Sequence, residues 1–476
     1  MLRVARRTFL KSGAWAATMW GPAAALATEA PHSPIAFEAI GAVAPRASRA
    51  IAASPLSVGF ETLDRRHFDP ARAHPLLAAL GVKWARCQTG WCRCETQRGK
   101  LDFAWLDEVV NSLLKIGVQP WFNLGYGNRL YAPDADETAV GWAPIFDDAA
   151  RQAWVRFVRA IAHHFAGRVK HWELWNEPNI AQFWKPAKPQ AADYVALVKL
   201  TAPEIRKAVP DAVLIGGAYA GIPMPYIKAC LDAGLAEHVD KLSYHPYRPI
   251  PEAGYEAEIA ALRNLLDGYK RGVALWQGEC GCPSQGGKES TGALANLEWD
   301  ETRQAKWLLR RILSDLRLGV ELTSYFHTVD LVGYRGKTNF KGLLRGTDYT
   351  PKPAYFAYQS LCALFDAETR WRANLALNLF GQRKVQLQAA AFARNGKAIH
   401  AYWLPASLQA PFEPRALSLE VATAPDAAIG EPVLIDPLTS SVHKLVAART
   451  ADGSVAFENL PLLDYPLLIT DRAVVA

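Results

Sequence analysis

Two glutamates far apart in the chain each end a short apolar run. One run reads His171-Trp172-Glu173-Leu174-Trp175-Asn176-Glu177-Pro178, and the other reads Ala274-Leu275-Trp276-Gln277-Gly278-Glu279-Cys280-Gly281. Two carboxyls brought to one point can cleave a glycosidic bond. One protonates the leaving oxygen, and the other attacks the anomeric carbon or activates water. The proton donor must hold its proton near neutral pH, which apolar neighbours or a nearby carboxylate can arrange. Trp172 and Trp175 are placed to do this for Glu177. Side chains alternate along a strand, so Glu173 shares the face of Glu177 and lies deeper. It is expected to be structurally paired, with Arg86 one candidate partner.

Such a pair needs a frame that delivers strand ends to a common mouth. Eight apolar runs, each followed by a helical pattern, provide one: Leu56–Thr62, Trp84–Thr89, Gln119–Gly127, His171–Pro178, Ala212–Gly221, Lys241–Tyr247, Ala274–Gly281 and Leu322–Val329. Nearly continuous apolar character suits parallel strands covered on both faces. Apolar residues recur at helical spacing over Phe103–Gly117, Asp147–Phe165 and Thr302–Leu318. This alternation predicts an α/β fold, a (β/α)8 TIM barrel over residues 56–365, with its active site at the C-terminal strand ends. A doubly wound sheet is the alternative, but no Gly-rich turn follows the first run. Beyond Phe365 the pattern becomes strand-like, with turn signals at Asn395-Gly396, Pro437-Leu438-Thr439 and Asp452-Gly453. A β-sandwich domain over 366–476 is expected. Residues 28–55 read as an N-terminal extension, either a linker or an added sandwich strand.

With the motifs placed on their strands, the sequence resembles glycoside hydrolase clan A, the retaining (β/α)8 glycosidases. The resemblance rests on Trp175-Asn176-Glu177-Pro178 at a fourth strand, a Glu ending a seventh, His245-Pro246-Tyr247 at a sixth and Arg86 on a second. The passage from Gly342-Leu343-Leu344 to Pro351-Lys352-Pro353-Ala354-Tyr355 and the terminal sandwich are most similar to family 39, with family 5 next. The resemblance implies that Glu177 is the acid/base and Glu279 the nucleophile, that Asn176 binds a sugar hydroxyl, that Tyr247 touches the nucleophile, and that Arg86 keeps it ionised. It implies double displacement through a covalent glycosyl-enzyme, with an exo-β-glycosidase of xylosidase type slightly favoured. An endo-acting hydrolase, a transglycosylase and a catalytically silent carbohydrate-binding protein are the alternatives. Paired carboxyls suffice for this chemistry, so no cofactor or metal is implied.

Loops beyond the strand ends offer candidate sugar contacts: Trp91, Asn128, Arg129, Tyr131, Phe183, Trp184 and Trp299. A flat ring suits the C–H face of a sugar, although each of the sixteen Trp could equally fill the core. Cys92, Cys94, Cys280 and Cys282 follow the second and seventh strands. A disulfide such as Cys92–Cys282 is expected there, with zinc or free thiols as alternatives. The formal charge is +7, and Arg3, Arg6, Arg7 and Lys11 carry much of it; the small remainder, with no basic run, predicts no nucleic-acid partner. Ala5 to Lys11 resembles a twin-arginine motif. With the weakly apolar stretch to Ala27 and the Ala25-Leu26-Ala27 ending, it predicts a signal peptide over 1–27 and a periplasmic or secreted protein. No later segment is apolar for long enough to span a membrane. The expected partner is an oligosaccharide or polysaccharide substrate.

Overall fold

Eight parallel strands close into a barrel: β1 (Leu56–Gly59), β2 (Trp84–Gln88), β3 (Gln119–Leu124), β4 (His171–Leu174), β5 (Val213–Ala220), β6 (Lys241–His245), β7 (Ala274–Cys280) and β8 (Leu322–Tyr325). β1 pairs with β2 through Ser57 and Trp84 and with β8 through Leu56 and Thr323, which closes the ring. The computed structural model describes residues 34–380, 385–450 and 453–475. The signal peptide expected over 1–27 lies outside the described residues.

The helices Ala104–Lys115, Asp148–His164 and Glu301–Arg317 lie within a residue or two of the expected bounds. Asp147 and Asp300 cap the last two, each accepting a backbone N–H of the first turn. The strands are shorter than the apolar runs that predicted them. β4 stops at Leu174 and β8 at Tyr325, because the chain leaves the ladder before the apolar residues end. Glu177 therefore stands on a turn beyond its strand.

The barrel interior is layered. At its base Trp121, Ile215, Trp276 and Leu322 form a small apolar cluster distinct from the main core, with Trp121 and Trp276 edge to face at 5.2 Å. Two residues further along β2 and β3, on the same inward face, stand Arg86 and Asn123, both fully buried. Polar groups thus replace apolar ones as the strands approach the mouth.

C-terminal to the barrel lie two antiparallel sheets. The larger has seven strands, in the order Ala39–Ala42, Ser441–Lys444, Pro432–Asp436, Leu467–Asp471, Lys397–Trp403, Gln388–Arg394 and Thr369–Trp371. The smaller runs Leu377–Leu379, Arg415–Val421, Val455–Leu462 and Ala448–Arg449. Of the two readings of the N-terminal segment, the structure has the added strand: Ala39–Ala42 pairs antiparallel with Ser441–Lys444. Asn395 and Gly396, both at positive φ, form the two-residue turn that the sequence signalled. Helix Glu301–Arg317 fastens the sheets to the barrel. Arg310 binds Glu252 through two bonds of 2.9 and 2.6 Å and donates to Ala406 O at 2.7 Å, while Trp403 Nε1 donates to the same Glu252 at 2.7 Å.

One inward position on β7 has no room for a side chain. A Cβ on Gly278 would lie 2.2 Å from Ser243 Oγ and 3.0 Å from Glu173 Oε1. Gly278→Ala should therefore destabilise the protein by about 1–3 kcal/mol through overpacking. Gly41→Ala, where a Cβ meets nothing within 4 Å, serves as the control. Urea denaturation compares the two, and equal midpoints would refute the close-packing argument.

Candidate active site

Arg86, at the inner end of β2, organises the mouth. Its Nε and Nη2 both donate to Glu173 Oε2, at 2.9 and 2.5 Å. Nη2 also donates to Asn176 Oδ1 at 2.8 Å, and Nη1 donates to Glu279 Oε2 at 2.7 Å and Glu61 Oε1 at 3.0 Å. Asn123 Nδ2 adds a bond of 2.8 Å to Glu173 and one of 2.7 Å to Trp175 O. Glu173 is thus the buried structural partner of Arg86 that its depth on β4 suggested.

Glu279, near the end of β7, keeps part of its carboxyl open to solvent. Besides the bond from Arg86, it accepts a hydrogen bond from Tyr247 Oη at 2.8 Å. Each oxygen therefore has a fixed donor, which orients the carboxylate.

Glu177 stands opposite. The turn that carries it holds two non-glycine residues in the left-handed region, Trp175 at φ 77° and Glu177 at φ 46°. Such strain persists only where surrounding structure enforces it. Here Glu177 N donates to Ala218 O at 2.8 Å, and Trp175 Nε1 donates to Phe183 O at 2.8 Å. Burial pushes the Glu177 carboxyl up to about 7, against the opposing pull of Arg86. His245 Nδ1 lies 2.9 Å from Glu177 Oε1. Burial pushes this imidazole down to about 4, so it is neutral beside the carboxyl. An oxygen of Glu177, one of Glu279 and a nitrogen of His245 all lie within 4.8 Å of one another. Three such groups could in principle hold a metal, but the adjacent Arg86 and Lys341 cations oppose one.

Above them opens a cavity of ≈ 520 Å³, lined by Glu177, Glu279, His245 and Tyr247 together with Phe183, Phe326, Tyr334, Arg335, Asn339 and Lys341. Five of these lining residues come from the segment after β8. There Leu331–Tyr334 and Lys337–Asn339 form a two-stranded hairpin, with Arg335 in its turn at φ 53°. The sequence reading missed this hairpin, although Gly333 and Gly336 on either side of Tyr334-Arg335 are a turn signal. It also missed Glu61, just after β1. Lys341 is almost fully buried, and the one hydrogen bond of its ammonium among the described residues goes to Asn339 Oδ1 at 3.4 Å. Burial pushes this ammonium down to about 8.

The structure brings Arg86, Asn176, His245 and Tyr247 together with the two glutamates. It does not bring the expected aromatic platforms there. Trp91 is fully buried, stacked on Tyr131 at 5.3 Å and Phe157 at 5.7 Å, with Nε1 bonded to Glu95 at 2.6 Å. Asn128 uses its amide within its own loop, donating to Glu95 O at 2.8 Å and Trp91 O at 3.3 Å. Trp184 packs edge to face on Trp175 at 6.1 Å, and Trp299 is buried and donates to Leu294 O at 2.9 Å. All four support loops and do not line the cavity, because burying such large or amide-bearing side chains steadies long connections. Arg129 pairs with Glu137 at the surface; of the flanking loop residues, Phe183 does line the cavity.

The cysteines also depart from expectation. All seven are free. The proposed partners Cys92 and Cys282 engage different elements: Cys92 Sγ donates to Gly127 O at 3.4 Å, and Cys282 Sγ to Gln304 O at 4.0 Å. Burial pushes the Cys92 thiol up to about 11, which keeps it a neutral donor.

Comparison with known proteins follows the same lines. Residues 64–267 match the family described as Glycosyl hydrolases family 39. Over 191 residues the sequence is 29% identical to a beta-xylosidase of Geobacillus stearothermophilus, taking in 37% of this chain and 37% of that protein. The match thus spans little more than a third of the curated relative's length. Among solved structures, a family 39 glycoside hydrolase from the gut symbiont Bacteroides cellulosilyticus WH2 superposes with a TM-score of 0.65 at 22% identity, covering 88% of this chain and 81% of that one. A monomeric beta-xylosidase from Caulobacter crescentus CB15 follows at 0.62 and 18% identity, covering 90% and 97%. A GH30 endoxylanase from Clostridium papyrosolvens C71 shares the fold at 0.56 and 11% identity, covering 90% and 98%. Residues 64–267 thus match glycosyl hydrolase family 39, within a chain that has the closed eight-stranded barrel of these solved structures.

Proposed function

We propose that the protein is a retaining glycoside hydrolase of xylosidase-like character, acting by double displacement. The observation that carries this reading is the short approach of the two carboxyls, with an oxygen of each within 4.8 Å of the other. Retaining enzymes hold their carboxyls ~5–5.5 Å apart, whereas inverting ones leave ~6.5–9.5 Å for a water. Glu279, oriented by Arg86 and Tyr247, attacks the anomeric carbon. Glu177 protonates the departing oxygen and then, as carboxylate, draws the proton from the water that releases the sugar. The kinship with a beta-xylosidase supports a pentoside as first choice of substrate.

A second reading of the sugar rests on Lys341. A buried ammonium in the cavity wall, with no carboxylate of the described residues within ion-pair distance, suits a substrate that brings its own anion, such as a uronic acid. For location, we infer export by the twin-arginine route, which the Ala5–Lys11 motif and the small-residue ending at Ala27 support. N-terminal sequencing of protein recovered from the periplasm or medium tests it, and an intact Met1 or Leu2 start would refute it.

Four outcomes follow for the activity. On a panel of aryl β-D-xylosides, other aryl β-glycosides and aryl uronides, Glu279→Ala should lower kcat/KM at least about 10³-fold on whichever substrate is cleaved. Glu177→Ala should lose most on poor leaving groups and least on activated ones, with azide restoring turnover; wild-type kinetics in both variants would refute the site. The acid must be protonated, so kcat/KM on poor leaving groups should fall as pH rises through about 7, the value to which burial lifts Glu177. A profile flat through this range would remove Glu177 as the acid. If a uronide is the substrate, Lys341→Met should raise its KM selectively; equal losses on xyloside and uronide would dismiss the second reading.

A further inference from the structure

Arg86 Nη1 is shared between two carboxyls. It reaches Glu279 Oε2 at 2.7 Å and Glu61 Oε1 at 3.0 Å. The remaining donors of the guanidinium are taken by Glu173 and Asn176. Glu61 itself is fully enclosed and does not line the cavity, so it does not touch a substrate. Among the described residues its Oε2 has no hydrogen-bond partner, and His327 Nε2 lies 3.4 Å from it. The barrel makes room for it, since a Cβ on Gly59 would fall 2.3 Å from that oxygen.

We propose that Glu61 is a positioning residue for Glu279, acting through Arg86: the two carboxyls each take one of the two N–H groups of Nη1, and the neutral acid form of Glu61 leaves the positive charge of that group to Glu279. Three carboxylates around one guanidinium would carry an uncompensated buried charge, which the interior strongly disfavours. One group must take a proton. Glu173 already accepts two bonds from Arg86 and one from Asn123. Glu279 is the group open to solvent. Glu61, with one bond and one bare oxygen, is the remaining choice, and burial pushes it up to about 8, with Arg86 opposing and Glu279 adding to the rise. The charged or titratable groups facing it are Arg86 and Cys87 on β2, Glu279 on β7, Arg65 beyond β1 and His327 beyond β8. Cys87 is pushed far up by burial and His327 down to about 4, so both are neutral where Glu61 titrates. When Glu61 loses its proton, its charge pulls the guanidinium toward itself, which lengthens the Nη1 bond to Glu279 and loosens that carboxylate's orientation.

The inference rests on Glu279 being the nucleophile. It is tested in the full chain carrying Glu177→Ala, which removes the acid/base and its own titration. The probe is 2,4-dinitrophenyl β-D-xyloside, whose leaving group departs without protonation, so the burst of dinitrophenolate reads attack by Glu279 alone. With Glu61 in place, the burst rate should fall about fivefold or more from about pH 7 to about pH 9, and in E61Q that ratio should approach unity. The same ratio in E61Q as in its parent overturns the inference. E61M, also uncharged and similar in size, gives the same readout should E61Q not fold. If no burst appears, the xylosidase reading fails, and infrared spectroscopy decides on Glu61 separately. A protonated-carboxyl band at about pH 7 that E61Q removes upholds the inference, and its absence overturns it.

Discussion

A single buried guanidinium holds this site together. Arg86 bonds to Glu173, Glu61 and Glu279 and to the amide oxygen of Asn176, so four loops or strands converge on one side chain. A buried cation is tolerable only when paired and hydrogen-bonded, and buried carboxylates have the same requirement. Removing Arg86 would leave its partners without the donors that hold them in place. The geometry of the mouth is therefore coupled to the electrostatic balance of the barrel interior.

That balance also sets two similar carboxyls in different surroundings. Glu279 receives donors on both oxygens and keeps contact with solvent. Glu177 is buried beside a neutral His245 and holds its proton to about pH 7. Opposed environments around paired titratable groups are what a two-carboxyl mechanism requires. The positive φ at Trp175 and Glu177 is part of the arrangement, because the turn lifts Glu177 away from Arg86 while Glu173, four residues earlier, stays bound to it.

The barrel and the sheets behind it are one mechanical unit. Arg310 and Glu252 join the helix after β7 to the strand end at Trp403, and Lys306 meets Asp464 at 2.8 Å. The helix bearing Arg310 and Arg311 is buried along most of its length, which is unusual for a barrel helix and follows from its being covered by the sheets. The N-terminal strand at Ala39–Ala42 completes the sheet on its far edge. The C-terminal sheets thus brace the side of the barrel that presents Glu279.

The sequence by itself determined the periodic parts and the paired chemistry. Apolar runs alternating with helical stripes specified the barrel, because those periods are imposed by backbone geometry. Trp175-Asn176-Glu177-Pro178 and the Glu at the end of the seventh run located the carboxyls, and Asn395-Gly396 gave its hairpin. Tertiary structure decided what depends on contacts between distant segments. Glu61 reads as an ordinary polar residue until closure of the ring sets it against Arg86. Trp91, Asn128, Trp184 and Trp299 read as sugar contacts, yet their polar atoms found backbone or side-chain partners nearby or their rings found core neighbours. The hairpin carrying Arg335 and leading to Lys341 is too short and polar to register as strands, and only the fold swings it over the cavity. Local periodicity is written residue by residue, whereas the pairing of buried charges and the lining of a cavity arise only when the chain closes on itself.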